Sequence, residues 1–191
     1  AQVFHQPPEM VTPLMRSRAK AVNFGIVYGI GAFSLSQDIG VSRKEAGDYI
    51  DAYLEHYSGV RDYMEKVVAE AKDKGYSETI FGRRRYLPEL SSSNFNMRAF
   101  GERVARNMPI QGAAADIIKL AMIRVENRLE KEKLRASLIL QVHDELIVEA
   151  PEEEAQQVAA LLKEEMESAV QLSVPMVADA NIGKTWYDAK G

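Results

Sequence analysis

The 191 residues predict an α+β fold: a helix-rich first part, then a second part in which helices flank an antiparallel β-hairpin. Three observations carry this. Apolar residues recur at helical spacing through the first three quarters of the chain. The period changes to short strand-like runs at 136–150, where only His143 and Asp144 separate two apolar segments. The polar run from Ser91 to Asn94 marks a composition shift and predicts a boundary between residues 1–92 and 93–191.

The elements follow in order. Pro7, Pro8 and Pro13 mark an irregular lead-in, and a helix is expected from Thr12 to Tyr28, ended by Gly29 and Gly31. Ser42 with Glu45 reads as a capping box for a second helix to Tyr57. Ser58-Gly59 breaks it, and a third runs to Lys74 before Gly75. Ser77–Phe81 and Arg84–Leu87 read as a small hairpin around Gly82-Arg83. A helix over 95–107 is expected to be interrupted by Pro109, with another over 112–131 whose apolar face is Ile117, Ile118, Ala121, Met122, Val125 and Leu129. After the hairpin, Pro151 opens an amphipathic helix to Val170, and Val174–Ile182 reads as a last strand.

Composition removes several function classes. There is no cysteine, which excludes disulfides and thiolate metal sites and fits the cytoplasm. His5, His56 and His143 show no zinc spacing. No run of about 18 apolar residues occurs, so no membrane span is expected. The opening lacks signal-peptide order and an initiator Met, so the chain is expected to begin inside a longer protein. The net charge of −4 opposes nucleic-acid binding, but its distribution favours it locally. Between Arg83 and Arg106, six Arg against two Glu give +4, whereas nine carboxylates against Lys163 between Asp144 and Glu167 give −8.

Arg16, Lys20, Phe24 and Tyr28 recur every four residues. Each step drifts about 40°, so the four lie within about 120° of one face and span about 18 Å. Met15, Ala19, Val22 and Ile26 form a separate apolar stripe able to be the core contact. Two readings of the polar face stand on spacing alone. The aromatics are buried by other parts of the chain, or the face binds a nucleotide, with phosphates on the cations and rings against sugar and base.

The second candidate is Gln141-Val142-His143-Asp144-Glu145. His-Asp is poor chemistry for a two-residue hairpin, which prefers Asn-Gly or Asp-Gly. It is either a polar turn or a tip whose carboxylate binds a hard cation such as Mg²⁺. Alternation points Asp144 and Glu145 opposite ways, so both chelating one ion is not expected. The third candidate is Arg103, Asn107 and Gln111, followed by Gly112 to Asp116, read either as a capped helix junction or as a polar face. The run Arg83-Arg84-Arg85 is either a solvated surface or a phosphate contact.

Arg16-x-x-x-Lys20-x-x-x-Phe24-x-x-x-Tyr28-Gly29 resembles the fingers-helix motif of family A (bacterial polymerase I-like) DNA polymerases. The 141–145 segment is similar to that family's palm motif, and 103–116 to its duplex-facing helix pair. Gly-Arg-Arg-Arg-Tyr at 82–86 and Gly-Lys-Thr-Trp-Tyr at 183–187 match as well, so the resemblance covers roughly residues 10–190. It implies a fingers subdomain at 1–92 and part of a palm at 93–191, whose antiparallel hairpin carries a metal-site Asp. It implies template-directed transfer of deoxynucleotides to a primer 3′ end by two-metal phosphoryl transfer. Arg16 and Lys20 would contact the incoming triphosphate, with Lys20 catalytic, Phe24 beside the sugar and base, and Tyr28 at the template position. Arg103, Asn107 and Gln111 would face the duplex, His143 the primer terminus, and Arg83 and Arg84 the template. Asp144 would be one of two aspartates holding two Mg²⁺ ions, with Glu145 beside it. The implied partners are primer–template DNA and deoxynucleoside triphosphates.

The family's other metal aspartate lies in an Asp-Tyr-Ser-Gln-Ile-Glu-like strand, and these 191 residues contain no such segment. The isolated chain is therefore expected to be inactive, leaving a non-catalytic DNA-binding module as the alternative. The hairpin is expected to accept the absent strand, or to self-associate through its open edge.

Overall fold

The computed structural model describes residues 6–190, so His5 and the start of the lead-in lie outside the described residues. The chain forms two compact units, Ala1–Gly112 and Ala113–Gly191.

In the first unit, α1 spans Pro13–Val27. Thr12 caps it by accepting from the Met15 amide, and Pro13 occupies the first turn, where no amide donor is needed. Its end closes as a Schellman motif: the Ile30 amide donates to the Gly25 carbonyl and the Gly29 amide to that of Ile26. Gly29 takes φ 76°, the left-handed value this motif demands. A short helix α2, Ala32–Ile39, follows between Gly31 and Gly40. No sequence reading anticipated it, because eight residues carry too little periodicity. Its Leu35 and Ile39 are buried with Val22, Ile26 and Ala46.

Helix α3 spans Arg43–His56, with Ser42 accepting from the Glu45 amide as its cap. Helix α4 spans Ser58–Lys74 and ends on Gly75 at φ 77°. Strands β1, Tyr76–Glu78, and β2, Arg84–Tyr86, form a small antiparallel hairpin where one was expected, but the first strand ends at Glu78 and the loop is 79–83 rather than a turn at Gly82-Arg83; Ser77 lies opposite Arg85 and Glu78 opposite Arg84.

Helix α5 runs from Phe95 to Glu132 without a break, so the interruption expected at Pro109 does not occur. Proline removes the bond its amide would give to the carbonyl four residues back, that of Ala105. In this fold the buried Ser77 hydroxyl donates to that same carbonyl at 3.1 Å. The donor lost to proline is replaced from a neighbouring strand, and the helix continues.

In the second unit, β3, Ser137–Val142, and β4, Glu145–Glu149, form the predicted antiparallel hairpin, with a register shift between Leu138 and Leu140. Helix α6 spans Ala155–Glu167 and follows a 3₁₀ turn at Glu152–Glu154; a short helix α7 spans Trp186–Ala189. The core is Ala121, Val125, Leu129, Ala136, Leu146, Val158 and Leu161, with Ile118 and Met122 partly buried against it. Five of the six residues of the apolar face read from the sequence thus pack here; Ile117 is half-buried and outside this cluster. Val174–Ile182 is not a strand. A strand is defined by its partner, and each described sheet has two strands only, β1 with β2 and β3 with β4. Among the described residues no helix is long and apolar enough to cross a membrane.

Candidate functional site

The two faces of α1 separate as the spacing requires. Val22 and Ile26 are buried, whereas Arg16, Lys20, Phe24 and Tyr28 are all exposed. Phe24 keeps 47% of its surface and Tyr28 41%, so neither ring is a core residue of this unit. The rings lie nearly parallel, 15° apart with centroids 6.3 Å apart, and Lys20 Nζ sits 5.7 Å from the Phe24 centroid. Arg16 and Lys20 make no ion pair among the described residues, so both cations remain available to an anion. The Tyr53 hydroxyl donates to Asn23 Oδ1 at 2.7 Å, tying α1 to α3.

The stripe ends against α5. A methyl group placed on Gly29 would lie 3.4 Å from Arg103 Cγ and 3.2 Å from Arg106 Nη1. The structure therefore brings Arg103 beside the end of the Arg16–Tyr28 stripe. Arg103, Asn107 and Gln111 recur every four residues on α5, where Arg103 and Gln111 are exposed and Asn107 is half-buried. Asn107 Oδ1 is buried without a hydrogen-bond partner among the described residues. Glu102 sits beside this row. A 2.6 Å hydrogen bond from Lys72 is the main cause holding its carboxyl below the ordinary value; burial opposes, and Arg106 and Arg98 add to the lowering.

Arg83 and Arg84 both lie exposed at the β1–β2 hairpin. Arg84 is already engaged: its guanidinium donates to Glu78 and lies 4.7 Å from the Tyr76 centroid. The Glu78 hydrogen bond is the largest cause raising its pKa. Arg85, on the opposite face of β2, is exposed too.

His143, Asp144 and Glu145 lie in the second unit, at the β3–β4 tip, and all three are exposed. His143 takes φ 53°, while Asp144 does not adopt a positive φ. A non-glycine residue in that region is uncommon, which agrees with the poor turn chemistry of His-Asp. Gln141 Nε2 braces the tip by donating to the His143 carbonyl at 2.6 Å. Glu145 accepts from Trp186 Nε1 at 3.3 Å, whereas Asp144 has no such partner among the described residues. An exposed carboxylate is the donor type a hard divalent cation takes. Yet no three His, Asp or Glu side chains gather into a group able to hold a metal among the described residues.

Sequence reasoning did not single out Ser77 for its contact with α5. The available signal was the donor Pro109 lacks, and the carbonyl that Ser77 serves is 28 positions away from it.

The sequence profile of DNA polymerase family A matches residues 1–188. The chain is 56% identical over 188 residues to DNA polymerase I of Bacillus caldotenax, covering 98% of this chain and 21% of that protein. To DNA polymerase I of Bacillus subtilis (strain 168) it is 57% identical over 188 residues, again 21% of the relative. Among solved structures it is similar to the POL domain of Pol1 from M. smegmatis in complex with DNA primer-template and dNTP. The TM-score is 0.93 and the identity 44%, covering 98% of this chain and 33% of that one. The chain thus spans about a fifth of the length of the curated relatives it matches.

Proposed function

The chain belongs to DNA polymerase family A, and we propose that it supplies the nucleotide-binding helix, the duplex-facing helix and one metal-binding aspartate of a DNA-directed DNA polymerase. Residues 1–92 act as fingers and 93–191 as part of the palm. Arg16 and Lys20 bind the triphosphate of an incoming deoxynucleotide, Phe24 packs on its sugar and base, and Tyr28 stands at the template position. Arg103, Asn107 and Gln111 face the primer–template minor groove, where donors read duplex shape rather than sequence. Arg83 and Arg84 meet template phosphates, Arg84 through the guanidinium nitrogens other than the Nε that Glu78 takes, and His143 meets the primer terminus. Asp144, with Glu145 beside it, contributes to a Mg²⁺ site. Bound there, two metal ions supply positive charge to the attacking and leaving oxygens of phosphoryl transfer. The relatives it matches are bacterial, and the cytoplasm is where a bacterium keeps its DNA and deoxynucleotides, so the cytoplasm is the compartment proposed.

The observation that carries this reading is the exposed face of α1. Two aromatics, and two cations that make no ion pair among the described residues, stay in solvent while Val22 and Ile26 on the other face join the core. Exposed aromatics occur elsewhere in the chain, Phe33 and Phe95 among them; this face is set apart by rings that lie parallel and in line with two cations.

The test is Lys20→Ala in a polymerase of family length carrying this chain. A charge-assisted hydrogen bond to phosphate is worth roughly 1.5–3 kcal/mol, or about 10–150-fold in Kd. Deoxynucleotide affinity is expected to fall by that factor, and primer–template affinity by less than about twofold. Equal losses in both assays would place Lys20 on the DNA backbone.

A second reading applies to the 191 residues by themselves: a DNA-binding module without chemistry. It rests on the sequence: the resemblance implies two aspartates at the metal site, and these 191 residues supply Asp144 without the Asp-Tyr-Ser-Gln-Ile-Glu-like strand that bears the other. Both strands of the β3–β4 pair have an outer edge without a strand partner among the described residues, and Ile139 and Leu140 are exposed. We propose that this edge takes a further strand bearing a second carboxylate, or a second copy of the chain.

A further inference from the structure

A proline in a helix interior ordinarily leaves one carbonyl without its amide donor and bends or breaks the helix. Pro109 sits between Asn107 and Gln111, two of the three side chains read as duplex contacts. A break there would turn Gln111 away from Arg103 and Asn107. Helix α5 nevertheless continues, and strand β1 explains how. Ser77, 4% exposed, donates its hydroxyl at 3.1 Å to the Ala105 carbonyl, the one Pro109 cannot serve. Two residues along, Thr79 fills the space beside Gly112: a methyl group there would come within 2.6 Å of Thr79 Cγ2. Thr79 Oγ1 meanwhile accepts from the amides of Phe81 and Arg83, so the same residue shapes the turn that carries the arginine run.

The geometry is consistent around the helix. Ala105 and Pro109 lie two residues, about 200°, from Arg103 and Asn107 respectively. The strand therefore braces the back of the polar row and leaves Arg103 and Gln111 exposed. Leaving a buried carbonyl unserved is costly, and the side-chain hydroxyl removes that cost.

We propose that Ser77 is a positioning residue for DNA binding: by serving the carbonyl orphaned by Pro109, it keeps Arg103, Asn107 and Gln111 on one continuous helical face. This rests on the reading of α5 as the duplex-facing helix. Ser77 touches neither nucleotide nor DNA in this scheme. Its effect passes through the course of the helix, and the deoxynucleotide stripe on α1 does not depend on it.

The test is a double-mutant cycle in a polymerase of family length carrying this chain: Ser77→Ala, Pro109→Ala and both together. Primer–template Kd, deoxynucleotide KM and thermal midpoint are measured for each. Ser77→Ala is expected to lower the thermal midpoint, because a buried carbonyl is left unserved, and, through the altered course of α5, to weaken primer–template binding about fivefold with deoxynucleotide KM unchanged. The Pro109→Ala substitution restores a backbone donor, so in that background the loss of the hydroxyl is expected to change DNA affinity by less than about twofold. The proposal is overturned if Ser77→Ala alone leaves DNA affinity within twofold, or if Pro109→Ala gives no rescue. It is equally overturned if deoxynucleotide KM rises as much as DNA Kd, which marks general loss of structure. If the unsubstituted polymerase binds no primer–template, the functional reading itself fails and this proposal falls with it. If it binds and only the cycle fails, the functional reading stands and Ser77 loses its role.

Discussion

Replacing Gly29 with alanine perturbs the junction of α1 and α5 in two separable ways. Gly29 takes φ 76°, and an L-residue in that region costs about 1–2 kcal/mol. The new methyl would also stand 3.2 Å from Arg106 Nη1 and 3.4 Å from Arg103 Cγ. Both side chains have flexible stems, so they yield by a few tenths of an ångström, and Arg103 moves relative to Tyr28. Gly75 supplies the comparison. Its φ is 77°, yet nothing lies within 4 Å of its added methyl, so Gly75→Ala carries the backbone strain without the crowding. Gly59 supplies the baseline: it lies inside α4 with open space around it, and alanine there should be neutral or stabilising by up to about 1 kcal/mol. The assays are thermal midpoint and primer–template binding by fluorescence anisotropy in a polymerase of family length. Gly29→Ala and Gly75→Ala should lose similar stability, about 1–2 kcal/mol. Only Gly29→Ala should also weaken DNA binding, about threefold or more, since a shifted Arg103 loses part of a charge-assisted contact. Equal DNA affinity in those two variants would refute the reasoning and leave Gly29 as a helix stop alone.

Two further outcomes are expected. Glu165 is 8% exposed and accepts from Arg124 Nε at 2.8 Å and Arg128 Nη1 at 2.9 Å. Burial pushes its carboxyl up, but the two hydrogen bonds and the arginine charges outweigh it and hold the carboxyl below its ordinary 4.5. A depressed folded value stabilises the fold above pH 4.5, and that stability is lost as pH falls through the lower folded value. Glu165→Gln should therefore cost about 1 kcal/mol at neutral pH, discounted because Arg124 is 44% exposed. The cost should shrink as melts are taken to pH values below 4.5; a pH-independent difference would show that the charge is not what matters. The 191 residues alone should not extend a primer with Mg²⁺ and four deoxynucleotides, because holding two metal ions needs a second carboxylate beside Asp144 and these residues contain no Asp-Tyr-Ser-Gln-Ile-Glu-like segment to bring it. Extension at about 1 per second or faster would refute that.

Much of the fold was legible in sequence because its causes are local. Thr12 and Pro13 start α1, and Gly29 and Gly75 stop helices in the left-handed region; each effect needs only a few neighbouring residues. The two stripes of α1 follow from helical geometry, as does the packed face of α5, and the strand-period runs set the hairpin that carries Asp144. The site residues were legible as a pattern for the same reason: spacing places Arg16, Lys20, Phe24 and Tyr28 on one face whatever surrounds the helix. What the tertiary structure decided depended on distant partners. Helix α2 exists because Leu35 and Ile39 find Val22, Ile26 and Ala46. Val174–Ile182 has strand composition but takes no strand form, because pairing is supplied by another segment or not at all. Arg84 reads as a free cation until Glu78 and Tyr76 are seen to hold it. Pro109 reads as a break, since its own neighbours supply no donor; only the fold brings Ser77 to the Ala105 carbonyl and carries the helix through.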